Sequence, residues 1–154
     1  MISVYLETTI FNRYLEEGRE YCTETRLLFE KIAKRKIEAY TSVYVIDEIQ
    51  KAPEPKRSQM LNLITEFNIC TLDDSQEAQD LADAYIQAKI IPARFKLDGV
   101  HIAMTAINNI ECIISFNFRH INNVKTKAAT EAINDIKEYS NPYICTPMEV
   151  LYDG

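Results

Sequence analysis

Residues 4–12 read VYLETTIFN. Val4, Tyr5 and Leu6 form a short run of β-branched, aromatic and aliphatic side chains, and an acid and two hydroxyls, Glu7, Thr8 and Thr9, follow without a break. Such a run reads as a buried strand that ends on polar residues. The same grammar recurs along the chain. Ala39 to Thr41 leads into Ser42, with Asp47 and Glu48 one or two helical turns on, and Cys112 to Ile114 leads into Ser115, Asn117 and Arg119. Ile69 to Leu72 and Tyr143 to Cys145 are two further strand-like runs.

Helical periodicity fills the intervals. From Ala78, the residues Leu81, Ala82, Tyr85 and Ile86 fall on one helical face, and Asp74 with Glu77 offers a capping-box start. Leu97, Val100, Met104 and Ile107 give a second stripe; Ala129, Ala132, Ile133 and Ile136 give a third that stops near Ser140, Asn141 and Pro142. Leu27, Leu28 and Ile32 suggest another helix, and KAPEPKR, around Pro53 and Pro55, reads as a surface turn between helices. No two-residue hairpin signal joins the strands. The class is therefore α/β, a mainly parallel sheet of about five strands with helices on both faces and right-handed crossovers.

The 154 residues are 47% hydrophobic and 26% charged, which fits one globular domain over 1–154 and excludes a disordered or collagen-like chain. Three Gly and five Pro leave few breakers. Cys22, Cys70, Cys112 and Cys145 contain no C-x-x-C pair, so they read as small buried hydrophobes in a reducing compartment rather than a zinc or redox motif. The opening MISVYLETTI has neither a basic lead nor a long apolar stretch, and nowhere do about 18 apolar residues run together. A cytoplasmic protein with no membrane span is expected. The net charge of -6 argues against a general nucleic-acid coat, although an enzyme can hold its acids in a pocket and its bases on a rim.

In an open parallel sheet, ligands bind beyond the carboxyl ends of the strands. Glu7 directly follows a buried strand, where an unpaired carboxylate is costly. Asp98 opens the helix around Val100, a position that also suits a plain helix cap, and Glu48 alone would pass for a solvated helix residue. Were Glu7, Glu48 and Asp98 to share one crevice, each pair at about 5 Å would repel by roughly 3 kcal/mol at an effective dielectric near 20. A hard divalent cation offsets that repulsion, and oxygen ligands suit Mg2+ or Mn2+ better than zinc.

Glu7 in VYLETTIFN, Glu48 in TSVYVIDEI, Asp98 in KLDGVHIAMTA and Asn117 in IISFNFRHI together resemble the four ordered motifs of the PIN domain, the nuclease fold of the toxins of VapBC toxin–antitoxin systems. The resemblance implies a Rossmann-like three-layer fold, a Mg2+- or Mn2+-dependent ribonuclease with RNA as substrate, an antitoxin protein as partner, and a homodimer. By position it implies Glu7, Glu48 and Asp98 as metal ligands, Thr9 as the hydroxyl that positions water or the neighbouring acid, and Asn117 as a lining residue. Two departures stand out. Glu7 replaces the family's usual Asp, and Asn117 replaces the commoner acid, with His120 where some members carry another. Three formal charges then favour one-metal chemistry.

Other chemistries lack their residues. There is no G-x-S-x-G elbow, P-loop or G-x-G-x-x-G, and the Asp98-x-x-His101 spacing has no second copy to complete a di-iron site. His101 reads as a partly buried residue near the site, and His120 as a rim residue. Arg13, Lys51, Arg94, Lys96, Arg119 and Lys125 are candidates for a basic rim. The competing reading is a PIN-like domain without catalysis that binds RNA or a protein.

Overall fold

The structure, a computed structural model, describes residues 1–152. In chain order its elements are β1 (Ile2–Leu6), α1 (Thr8–Leu15), α2 (Cys22–Ala33), β2 (Ile37–Ser42), α3 (Val43–Gln50), α4 (Lys56–Glu66) and β3 (Cys70–Leu72). Then follow α5 (Gln76–Gln87), a 3-10 turn (Ala93–Phe95), α6 (Lys96–Ile107), β4 (Cys112–Ile114), α7 (Val124–Ile136), β5 (Tyr143–Cys145) and α8 (Pro147–Tyr152). All five expected strands are present, and KAPEPKR bridges α3 and α4 as read. Among the described residues, no helix is long and apolar enough to cross a membrane.

The strands form one parallel sheet in the order β3-β2-β1-β4-β5. Val4 lies opposite Ala39 on one side and Cys112 on the other, so β1 is central. The chain first winds outward from β1 through β2 to β3, then crosses back to β4. Right-handed crossovers therefore put α1 to α4 on one face and α5 to α7 on the other, and α8 returns to pack on α2. The reversal leaves a crevice at the carboxyl ends of β1 and β4, where the connections depart to opposite faces. Val4, Tyr5, Leu6, Ile113 and Ile114 are fully buried, which is why these strands are unbroken apolar runs.

On the first face, an aromatic cluster ties the helices together. The Phe29 ring meets Phe11 at 6.0 Å, Tyr14 at 4.8 Å and Phe67 at 5.0 Å, edge to face in each case. That packing anchors α1, whose first turn carries Thr8 and Thr9. On the second face α6 lies between the sheet and α5, and everything from Gly99 to Ala106 is buried. The expected single stripe is thus replaced by burial all round. Gly99 permits the close approach, since a β-carbon there would stand 3.3 Å from Ile91 Cδ1 and 3.5 Å from Ala82 Cβ.

Three local expectations are corrected. The cap of α5 is Ser75, whose side chain accepts from the Ala78 N–H, rather than Asp74. In α7 the buried residues are Thr126, Thr130 and Asn134, whereas Ala132 and Ile136 face outward and Ile136 is 74% exposed. The polar face goes inward because it is satisfied there: Tyr85 donates to Asn134 Oδ1, and the Thr130 hydroxyl donates to the Thr126 carbonyl. Cys22 and Cys112 are buried and Cys145 half-buried, but Cys70 on the edge strand β3 is exposed.

With so few glycines, helices must end on ordinary residues in the left-handed region. Arg35 (φ 57°) follows α2 and Glu138 (φ 63°) follows α7. Behind Arg35 the paired bonds Lys36 N–H to Lys31 and Arg35 N–H to Ile32 close a Schellman-type end. A side chain there costs about 1 kcal/mol relative to glycine. Arg35→Gly and Glu138→Gly should each raise stability by about 0.5–1 kcal/mol, read as a higher urea midpoint with unchanged slope.

Candidate active site

Glu7 directly follows the central strand and serves as the N-cap residue of α1, yet its side chain makes no capping bond. It is only 3% exposed. Its Oε1 instead accepts from Thr9 Oγ1 and Ser115 Oγ, both at 2.6 Å. Those hydroxyls are themselves fixed: Thr9 Oγ1 accepts the Phe116 N–H at 2.8 Å, and Ser115 Oγ accepts the Asn117 N–H at 2.9 Å. The ends of β1 and β4 are thereby laced together around one carboxylate.

Glu48, from α3, points into the same crevice. Its Oε1 accepts from Thr8 Oγ1 and pairs with His101 Nε2, each at 2.6 Å. His101 comes from the middle of α6 and is fully buried. Its Nδ1 lies 2.7 Å from the Tyr5 hydroxyl, which lies 2.7 Å from Ser42 Oγ. A continuous hydrogen-bonded chain thus runs from β2 through β1 and α6 to Glu48. Ser42 is the N-cap residue of α3, and like Glu7 it uses its side chain for this chain rather than for capping.

One ligand atom each from Glu7, Glu48 and His101 falls within 4.8 Å of the others. Asp98 is not in that group. It stands in the first turn of α6, where its Oδ2 lies 3.1 Å from His120 Nδ1. Asn117 follows β4, and its Oδ1 accepts the His120 N–H at 3.0 Å, so its side-chain oxygen shapes the loop that presents His120. Of the residues singled out from the sequence, the structure gathers Glu7, Thr9 and Glu48 into one cluster and sets Asp98 and Asn117 beside His120. His101 is fully rather than partly buried, and Tyr5, Thr8, Ser42 and Ser115 are members the sequence reading did not assign to the site. The one signal for His101 was its spacing from Asp98, a single helical turn.

The electrostatics follow from burial. Burial pushes the Glu7 carboxyl above its usual range, and the charge on Glu48 adds to this; His101 and the Ser115 and Thr9 hydroxyls pull the other way without prevailing. For Glu48, burial acts upward too, but the bond and charge of His101 and the Thr8 hydroxyl outweigh it and hold the carboxyl low. Burial opposes a charged His101, yet Glu48, Glu7 and Asp98 together raise its pKa. Asp98 is pushed up by burial, with partial relief from His101, His120 and Asn117. Burial also drives the Tyr5 phenol far upward, so it stays protonated and can donate in only one direction. A cavity of about 770 Å³ lies against β5 and α7 and is lined by none of these groups.

No family model matches the chain, and no curated protein matches it. Among solved structures, it is similar to the crystal structure of VapBC2 from Rickettsia felis bound to a DNA fragment from their promoter, with a TM-score of 0.54 and 14% identity over 93% of this chain and 97% of that one. The shared feature at that identity is the fold. The PIN-like three-layer architecture expected from the sequence is the architecture this chain has.

A carboxyl whose pKa is higher folded than unfolded costs stability as pH rises through the interval between the two values. Glu7→Gln removes that cost. Relative to wild type, the variant should gain stability as pH rises above the ordinary carboxylate range in EDTA, followed by thermal melting. His101→Ala leaves Glu48 and Tyr5 without their partner and opens a cavity in the interior. It should lower stability by about 3 kcal/mol in urea titration.

Proposed function

We propose that the chain is a metal-dependent ribonuclease of the VapC toxin type, with Glu7, Glu48 and Asp98 holding Mg2+ or Mn2+. The observation that carries the reading is Glu7: a carboxylate at the switch point of the sheet, sealed from water and bonded only to hydroxyls, with a second carboxylate beside it. Such a group calls for a cation, and the carboxylate oxygens of Glu7, Glu48 and Asp98 would suit a hard one, the His101 nitrogen in the same cluster being engaged by Glu48. When bound, a divalent ion of that kind lowers the pKa of water and neutralises phosphate oxygens during hydrolysis of a phosphodiester.

The chain's own groups supply positioning. Thr9 and Ser115 hold Glu7 in one rotamer, and Thr8 and His101 hold Glu48, so neither acid must reorganise to receive a ligand. Asp98 approaches from the other side, steered by His120, while Asn117 sets the loop that carries that histidine. In this reading the catalytic set is Glu7, Glu48, Asp98, Asn117 and Thr9.

The VapBC2 structure is bound to a fragment of promoter DNA, and by that likeness of fold we assign this chain an antitoxin partner; a homodimeric state and a cytoplasmic setting belong to the same reading through the motif resemblance alone. A second reading has its own support. Glu48 and Asp98 are each already paired with a histidine, so the crevice compensates part of its charge without an ion, as a binding module that has lost catalysis would.

Labelled RNAs incubated with wild type and Asp98→Asn, in Mn2+, in Mg2+ and in EDTA, separate the two. The nuclease should cleave only with metal, and Asp98→Asn should lose at least about a hundredfold in rate. Absence of both cleavage and any Mn2+-dependent rise in melting temperature would favour the binding module.

A further inference from the structure

The chain carries 23 acids against 17 bases, yet one groove beside the site is lined by no acid at all. It has a volume of about 570 Å³ and lies between the end of α5, the 90–93 segment and the loop that follows β4. Lys89, Arg119 and Lys125 are exposed on its walls, with His120 at its inner end. Unpaired surface cations are ordinary. A cluster of them around one groove, in an acidic protein, is not, and among the described residues Lys89, Arg94, Arg119 and Lys125 enter no ion pair. The other cations of the expected rim divide differently: Arg13 is drawn to Glu16 and the Phe116 ring, and Lys96 pairs with Asp83 at 2.9 Å.

Phe118 lines the groove, and Phe95 stands behind its inner end. Phe95 stacks on His120 with centroids 4.1 Å apart, and the guanidiniums of Arg94 and Arg119 stand 4.9 and 5.9 Å from the Phe95 ring. Phe118 is 52% exposed on the groove wall. Exposed cations beside the open Phe118 ring match a polymer of phosphates and unstacked bases, because every base has a face to stack and every linkage a charge. A duplex, with its bases already stacked, could not use that ring. Since His120 also bonds Asp98, the groove runs directly into the acidic crevice.

We infer that this groove binds single-stranded RNA, with Lys89, Arg119 and Lys125 on the phosphates and Phe118 under a base, and so seats the nucleotides that flank the bond to be cut. The inference rests on the ribonuclease reading for what happens in the crevice, but binding in the groove requires neither metal nor chemistry.

The test is fluorescence anisotropy with a labelled single-stranded RNA of about twelve nucleotides, in EDTA, over a range of KCl. Wild type should bind. Lys89→Glu, Arg119→Glu and Lys125→Glu combined should weaken binding at least about tenfold and reduce the slope of log K against log salt by about two. Phe118→Ala should weaken it about fivefold with the slope unchanged. Lys34→Glu with Lys36→Glu, on exposed residues lining a separate hollow, should change little. Melting curves confirm that each variant is folded.

Failure of wild type to bind, wild-type affinity in the triple variant, or tighter binding of a labelled polyglutamate peptide than of RNA would overturn the inference. Cleavage decides the other reading separately. Salt-sensitive binding lost in the triple variant, with no cleavage by wild type, sustains the groove and removes the nuclease; cleavage with unchanged KM in the triple variant does the reverse.

Discussion

Following the central strand directly with Glu7 places a carboxylate where the sheet is driest, and the polar interior is built around that one group. Leu6 before it is fully buried, and Ile10 and Phe11 after it are too, so the acid cannot escape to solvent without unpacking the core. Two hydroxyls bond it directly, and the backbone of the next strand holds those hydroxyls. None of these partners carries a charge. They satisfy lone pairs without cancelling the negative charge, which is why burial still prevails and the carboxyl sits above its normal range. The arrangement is tuned to hold an acid in place while leaving it short of a cation.

The two remaining acids are treated differently. Glu48 has a fully buried histidine behind it, braced in turn by a buried phenol and a serine, so it is held low and rigid. Asp98 has a half-buried histidine on a loop, and burial dominates its titration. One wall of the crevice is thus an extension of the core, and the other is carried by a loop set by Asn117. Rigid support on one side with an adjustable acid opposite suits a site that must keep one ligand fixed while admitting a large second one.

What could be read in the sequence follows from which groups obey a simple pattern. The central strands, buried on both faces, are unbroken apolar runs, the outer ones were visible from their β-branched and aromatic residues, and the rule that sites gather at strand ends led to Glu7 and Asn117. Amphipathic periodicity failed wherever hydrogen bonding rather than transfer from water decides burial. In α7, Thr126, Thr130 and Asn134 turn inward because Tyr85 and the helix's own carbonyls satisfy them. In α6, burial all round erases the stripe that would have shown which face His101 occupies. Nor could Tyr5 be distinguished from its apolar neighbours, since its role lies in one hydroxyl that meets groups 37 and 96 residues away.

Net charge is a poor guide to this molecule for the same reason: it averages over regions that the fold keeps apart. The acids of the crevice come from β1, α3 and α6, and the cations of the groove come from the end of α5 and the segments flanking α6 and α7; His120 stands between the two sets. On one side its ring nitrogen meets Asp98, and on the other its face packs against Phe95, which two arginines flank. The acids and the cations are therefore held apart by fold rather than by distance, with one imidazole in contact with both regions.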